Sequence, residues 1–168
     1  LKGGDWIYTE GKVFGGDFLS IYTFYLASPF NLFMGLVSKE AIPDFILITT
    51  ILKMSFAGLN FYLLCRFTQH KIAFSHYAFA VGYALVSYSF IYLSNYMWID
   101  GVMILPLMVL GLNLLKESKV CYLYSISLAY SLISSWYIGF MTCVFSVFYF
   151  MYLFFSDAKS FKEKMKWY

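Results

Sequence analysis

Charge is the scarcest property of this chain. Asp, Glu, Lys and Arg make up 12% of its 168 residues, against about 25% in an ordinary soluble domain. So few charges cannot cover a water-facing surface, and 61% of the residues are apolar. Intrinsic disorder is excluded as well, because it requires low hydrophobicity and high net charge. Cysteine is sparse too. Three in 168 residues rule out a disulfide scaffold. No P-loop, dinucleotide fingerprint or nucleophile elbow occurs. His70 and His76 lack the spacing of a metal pair and have no cysteine cluster nearby, so no metal site is expected. The basic residues are not grouped as in a nucleic-acid module, so no nucleic acid is expected as partner. What remains is an integral membrane protein whose first partner is the lipid bilayer. Its aromatic content is 23%.

The chain starts at Leu1, where no basic n-region and apolar h-region lead to a cleavage site, so no signal peptide is expected, and it stops at Lys166-Trp167-Tyr168 inside a basic stretch. Both ends read as cuts through a longer polypeptide. Residues 1–43 hold six of the eleven glycines together with Pro29 and Pro43, and no run of about 20 apolar residues able to cross a bilayer. Within them 18–37 is apolar but interrupted at Ser28-Pro29, which reads as two short interfacial segments joined by a turn. The region 1–43 is therefore expected to be an extracytoplasmic loop.

From Asp44 onward the pattern is that of an all-α, polytopic transmembrane helix bundle with about five spans, at 44–65, 72–93, 100–115, 120–134 and 137–156. Pro43 and Asp44 suit the first helix start. Residues 120–155 carry no charge. As one helix they would be about 54 Å long, nearly twice the hydrocarbon core. A break is expected near Ser134-Ser135-Trp136-Tyr137-Ile138-Gly139.

Charge placement supports this count. Arg66, Lys71, Lys116, Lys119, Lys159, Lys162, Lys164 and Lys166 are eight of the twelve basic residues, and all fall on one side if five helices alternate. Connections 94–100 and 135–138 carry no Lys or Arg. The positive-inside rule makes the basic side cytoplasmic. The expected location is a plasma membrane, with the N-terminal loop outside and a truncated basic segment, 157–168, inside. Cys65 and Cys121 then face reducing surroundings and Cys143 lies in the membrane, so no structural disulfide is expected.

Lys53 lies about 13 Å inside the first span. A charge at that depth costs at least about 2.5 kcal/mol and normally faces protein, water or a partner. One reading is a cation reaching a buried anion such as the phosphate of a lipid-linked substrate. The other is a snorkelling or carbonyl-paired lysine that fixes helix packing. Asp100 is the sole acid between Asp44 and Glu117. It reads as a helix cap worth about 1 kcal/mol, or as a general base, a hydroxyl-binding group or the partner of Lys53. Asn95 and Trp98 share its connection. Asp17, after Gly15-Gly16, reads as a turn residue or a catalytic carboxylate. Trp136 and Tyr137 read as a sugar-stacking pair or as part of the interfacial aromatic belt. Ala78-x-x-x-Gly82 and Ala80-x-x-x-Ala84 are small-residue packing motifs.

One series of motifs adds to this reading. Tyr25-Leu26-Ala27-Ser28-Pro29-Phe30-Asn31-Leu32 is followed by Leu52-Lys53, by Met97-Trp98-Ile99-Asp100 with Leu105-Pro106-Leu107 and Leu110-Gly111, and by Trp136-Tyr137-Ile138-Gly139-Phe140-Met141. In this order the series resembles the bacterial YfhO family of membrane proteins, over roughly residues 15–155. The resemblance implies a glycosyltransferase of GT-C type. Its donor would be a polyprenyl-phosphate-linked sugar and its acceptor a cell-envelope polymer such as lipoteichoic acid, on the outer face. It also implies that this is an N-terminal portion lacking the first span, with a further essential acid before Leu1. The family pattern has Asn where Asp17 stands. Asp100 and Asp17 are then the catalytic candidates, and Lys53, Asn95, Trp98, Trp136 and Tyr137 the substrate-binding ones. No cofactor is specified. The alternatives are a transporter or flippase of a lipid-linked saccharide, and a non-catalytic membrane scaffold.

Overall fold

The computed structural model describes residues 8–9, 16–17, 28–69, 74–91, 93–117 and 122–156. The basic segment 157–168, together with Lys71, Lys119 and Cys121, lies outside the described residues. Helix dominates. The exception among the described residues is a short antiparallel pairing of β1 (Tyr8–Thr9) with β2 (Gly16–Asp17), Tyr8 opposite Asp17.

A 3-10 segment, Pro29–Leu36, and a single 3-10 turn, Lys39–Ala41, lead into α1 (Ile42–Gln69). Asp44 in the first turn and Arg66 in the last complement the helix dipole. Thr49 and Ser55 return their hydroxyls to the carbonyls of Phe45 and Ile51, each at 2.8 Å, so neither presents a free polar group to an apolar surface. Next come α2 (Phe74–Ala84), α3 (Ser87–Ile91), a 3-10 segment Leu93–Trp98, α4 (Ile99–Lys116), α5 (Tyr122–Ser134) and α6 (Trp136–Ser156).

Two features of this order differ from a plain reading of hydropathy. In place of a continuous helix over 72–93, the chain breaks at Leu85-Val86. The Val86 N–H turns back to Tyr83, and the Val86 carbonyl receives the Ser89 N–H at 2.9 Å, which opens α3. Neither Gly nor Pro stands there. A β-branched residue followed by Ser87 and Ser89 lowers helix propensity enough for packing to decide. The second feature is the economy of the α5–α6 turn. Ser135 alone separates the helices, giving its N–H to Ser131 and its carbonyl to Gly139. It thus closes one helix and opens the next.

Helices Lys39–Gln69, Ile99–Lys116 and Trp136–Ser156 are each long and apolar enough to cross a membrane. With α2 at 11 residues and α5 at 13, the shorter members reach about 17 and 20 Å, against a core of about 30 Å. Contacts set the directions. Gly58 meets Ala80 and Ala84, Tyr62 stacks on Tyr77, and Gln69 bonds His76, so α2 runs antiparallel to α1. Lys53 pairs with Asp100 and Asn60 with Met103, so α4 runs parallel to α1. Gly111 against Tyr124 and Asp100 against Tyr130 make α5 antiparallel to α4. Ser131 bonds Thr142 across the α5–α6 pair, and Tyr149 reaches Asn113 of α4. Hence α1, α4 and α6 point one way, α2 and α5 the other.

Helix α4 is the buried centre of this bundle, packed by α1, α5 and α6. Of the two small-residue motifs, Ala80-x-x-x-Ala84 carries the packing, since a side chain at Gly58 would sit 3.1 Å from Ala84 and 3.2 Å from the Ala80 carbonyl. Gly82 faces nothing within 4 Å. Apolar side chains such as Phe56, Phe79, Phe140, Phe148 and Phe155 point outward, as lipid contact requires.

The top of the bundle is stepped. From Ile42 down to Lys53, α1 descends about 16 Å, and α4 begins at that lower level. The segment Pro29–Leu36 meets this step at its start, where Phe30 lies beside Lys53 and Phe56.

Candidate functional site

At the foot of that step lies the most polar cluster of the bundle. The Lys53 ammonium donates to Asp100 Oδ2 at 2.7 Å, and both side chains are 0% exposed. Each comes from the place where its helix positions it best. Lys53 faces inward from α1, toward α4. Asp100 occupies the first turn of α4, where the helix dipole favours a carboxylate. The second carboxylate oxygen, Oδ1, accepts a hydrogen bond from the Tyr130 phenol at 2.8 Å. Phe30 lays its ring face 5.5 Å from the Lys53 nitrogen, a cation–π distance. Ser28 lies beside the Tyr130 phenol, fully buried, its hydroxyl without a hydrogen bond of good geometry. Met97 and Ile99 close the surroundings with apolar atoms.

Four segments thus converge on one ion pair: the 3-10 segment, α1, α4 and α5. In so dry a place the pair is strongly coupled, and the hydrogen bond on Oδ1 satisfies the valence that Lys53 leaves open. Chemically the cluster holds a carboxylate, a primary ammonium and a phenol within one hydrogen-bonded chain. That set can accept a proton, neutralise an incoming anion, or lock helices together.

The remaining candidates are distributed around it. Trp98 and Tyr137 come together, ring centroids 6.2 Å apart, from the ends of two different helical segments. Both are partly exposed and lie at the same end of the bundle as Asp100. Asn95 sits half-buried at a kink in the 3-10 segment, with φ −107° and ψ 55°. Trp136 turns away from the cluster and is 68% exposed. Asp17 lies in the short β pairing, and its side chain is outside the described residues. Lys53 and Asp100 are thus brought into contact, as are Trp98 and Tyr137, whereas Trp136 joins neither pair.

Tyr130 and Ser28 are members of the cluster that sequence reasoning does not single out. One tyrosine among 16 carries no mark of its own inside an apolar run. Its one signal is register: Tyr130 shares a helix face with the buried Ser127, Ser131 and Ser134, so it points into the bundle. Among the described residues no group of three His, Cys, Asp or Glu side chains comes together. A cavity of about 270 Å³ opens at the far end of the bundle, between Phe67 and Thr68 of α1 and Asn113 and Lys116 of α4. It is separated from Asp100 by nearly the whole length of α4.

Comparison with known proteins bears on the whole chain. Residues 1–168 match the family model described as bacterial membrane protein YfhO. No curated protein and no solved structure matches the chain.

Proposed function

Since the chain belongs to the YfhO family of bacterial membrane proteins, we propose that it acts in an outer-face glycosyltransferase of GT-C type. The donor is a polyprenyl-phosphate-linked sugar and the acceptor a cell-envelope polymer such as lipoteichoic acid. The observation that carries this reading is the buried Lys53–Asp100–Tyr130 cluster, at the same end of the bundle as the Trp98–Tyr137 pair. It sits at the end of the bundle opposite Arg66 and Lys116.

In this reading five segments alternate across the membrane, with the basic helix ends in the cytoplasm and residues 1–43 outside. Transfer from a lipid phosphate requires a base for the acceptor hydroxyl and positive charge on the leaving phosphate. Asp100 takes the hydroxyl proton, and Lys53 compensates the phosphate charge once its carboxylate partner is engaged elsewhere. Asn95 and Asp17 bind sugar or acceptor hydroxyls, Trp98 and Tyr137 stack on the sugar, and Trp136 contacts the isoprenoid.

A second reading is favoured by one specific fact: neither charge of the pair has any exposed surface. In that reading the pair is a fastener and the bundle a non-catalytic scaffold. One experiment separates the two. Membranes bearing the protein receive a polyprenyl-phosphate donor with a labelled sugar, and label in polymer is counted. The enzyme reading expects transfer by the wild type and its loss in the doubly neutral variant Lys53→Met/Asp100→Leu, which leaves no unpaired charge. Full transfer by that variant reduces the pair to a fastener. No transfer by the wild type overturns the enzyme reading.

A further inference from the structure

Asp100 is carried on the part of α4 that precedes Pro106, where the helix lacks one of its own hydrogen bonds. Pro106 stands inside α4, where its missing N–H leaves the carbonyl of Val102 without the usual donor and its ring crowds that same carbonyl. The Val102 carbonyl is instead taken by the Tyr83 phenol of α2 at 2.8 Å. The next carbonyl along, that of Met103, receives Asn60 Nδ2 of α1 at 2.7 Å, and Asn60 is buried. In an apolar medium a backbone carbonyl without a donor is costly, and a proline inside a spanning helix is tolerated where neighbouring side chains supply one. Tyr83 supplies the donor that Pro106 removes, and Asn60 adds one to the neighbouring carbonyl, both from other helices and within a turn of Asp100.

We infer that Tyr83 and Asn60 are positioning residues for Asp100. They bridge the proline gap and hold the first two turns of α4, with Asp100 and the Gly101–Ile138 contact, in register with Lys53. On this assignment the segment ahead of Pro106 is the hinged part of the site, and its loosening exposes the enclosed charges. The inference rests on the proposed outer-face site for its purpose, but not for its test. Tyr83 also stacks on Phe61 at 4.6 Å between centroids, so Tyr83→Phe removes the hydroxyl and keeps the ring packing.

The test uses the membrane-inserted protein with its native cysteines replaced and one reporter, Ile99→Cys, placed at a fully buried position of the hinged segment. The reporter is exposed to a membrane-impermeant maleimide. Tyr83→Phe is expected to raise the labelling rate about three- to tenfold, the factor that one intramembrane hydrogen bond governs. In a Pro106→Ala background the same change is expected to do nothing, because alanine at that position returns an N–H to the Val102 carbonyl. A second reporter, Met108→Cys, beyond the proline and equally buried, should not respond. Nor should Ile99→Cys respond to Tyr62→Phe, which removes a hydroxyl from the same α1–α2 interface. An unchanged rate in Tyr83→Phe, or an equal rise with and without Pro106, overturns the assignment. Because no sugar transfer is measured, failure of the enzyme reading leaves this result readable on its own.

Discussion

Lys53 and Asp100, 47 positions apart in the chain, meet at 2.7 Å with no solvent-exposed surface on either. A pair in that state is far more sensitive to losing one partner than to losing both. Removing either member strands a charge in an apolar bundle, at about 3–5 kcal/mol. Lys53→Met and Asp100→Leu should each lower thermal stability in detergent strongly, and the double variant should recover most of the loss. Additive losses would show that the two side chains do not depend on each other.

Tyr130 closes the other carboxylate oxygen. A hydrogen bond to a charged acceptor is worth about 1.5–3 kcal/mol, so Tyr130→Phe should destabilise the wild-type protein by that order. On the Lys53→Met/Asp100→Leu background the same change should be nearly silent. A double-mutant cycle from unfolding midpoints measures the difference. Equal effects in both backgrounds would place the role of the phenol elsewhere.

Glycines in this bundle are not interchangeable. A side-chain carbon at Gly111 would lie 2.6 Å from the Tyr124 backbone nitrogen, while one at Gly82 would meet nothing within 4 Å. Gly111→Ala should therefore force α4 and α5 apart and cost about 1–3 kcal/mol. Gly82→Ala should be neutral or stabilising by up to about 1 kcal/mol through helix propensity. Thermal unfolding of the two variants side by side decides this.

Exposure separates the tryptophans. Trp136 is 68% exposed on an apolar helix, whereas Trp98 is tilted against Tyr137. In variants keeping a single tryptophan, lipids brominated on their chains should quench Trp136 fluorescence markedly more than that of Trp98. The reverse order would mean that Trp136 faces protein rather than lipid.

The proposed orientation has its own check. Cysteine placed at Glu117 should react with an impermeant reagent only from the cytoplasmic side, and cysteine at the exposed Glu40 only from the outside. Labelling of both from one side would remove the alternating arrangement.

The amino-acid sequence by itself determined the solvent of this protein and marked its rare charges. With 61% apolar residues and 12% charged, only a bilayer suits the chain, and each charge inside an apolar run is conspicuous. Lys53 and Asp100 are visible in this way, as is the break at Ser135, because uncharged length exceeds bilayer thickness. Tertiary structure decided the rest. Nothing local distinguishes Tyr130 from the other tyrosines, and nothing marks Leu85-Val86 as a break, since no Gly or Pro stands there. Pro106 is visible in the sequence, but the side chains around it come from α1 and α2, 43 and 19 positions along the chain from the carbonyls they cap. Periodicity and composition report which medium a residue prefers. Which partner it finds depends on how helices of unequal length pack, and that is settled only when Gly58, Gly101, Gly111 and Gly139 let their neighbours approach.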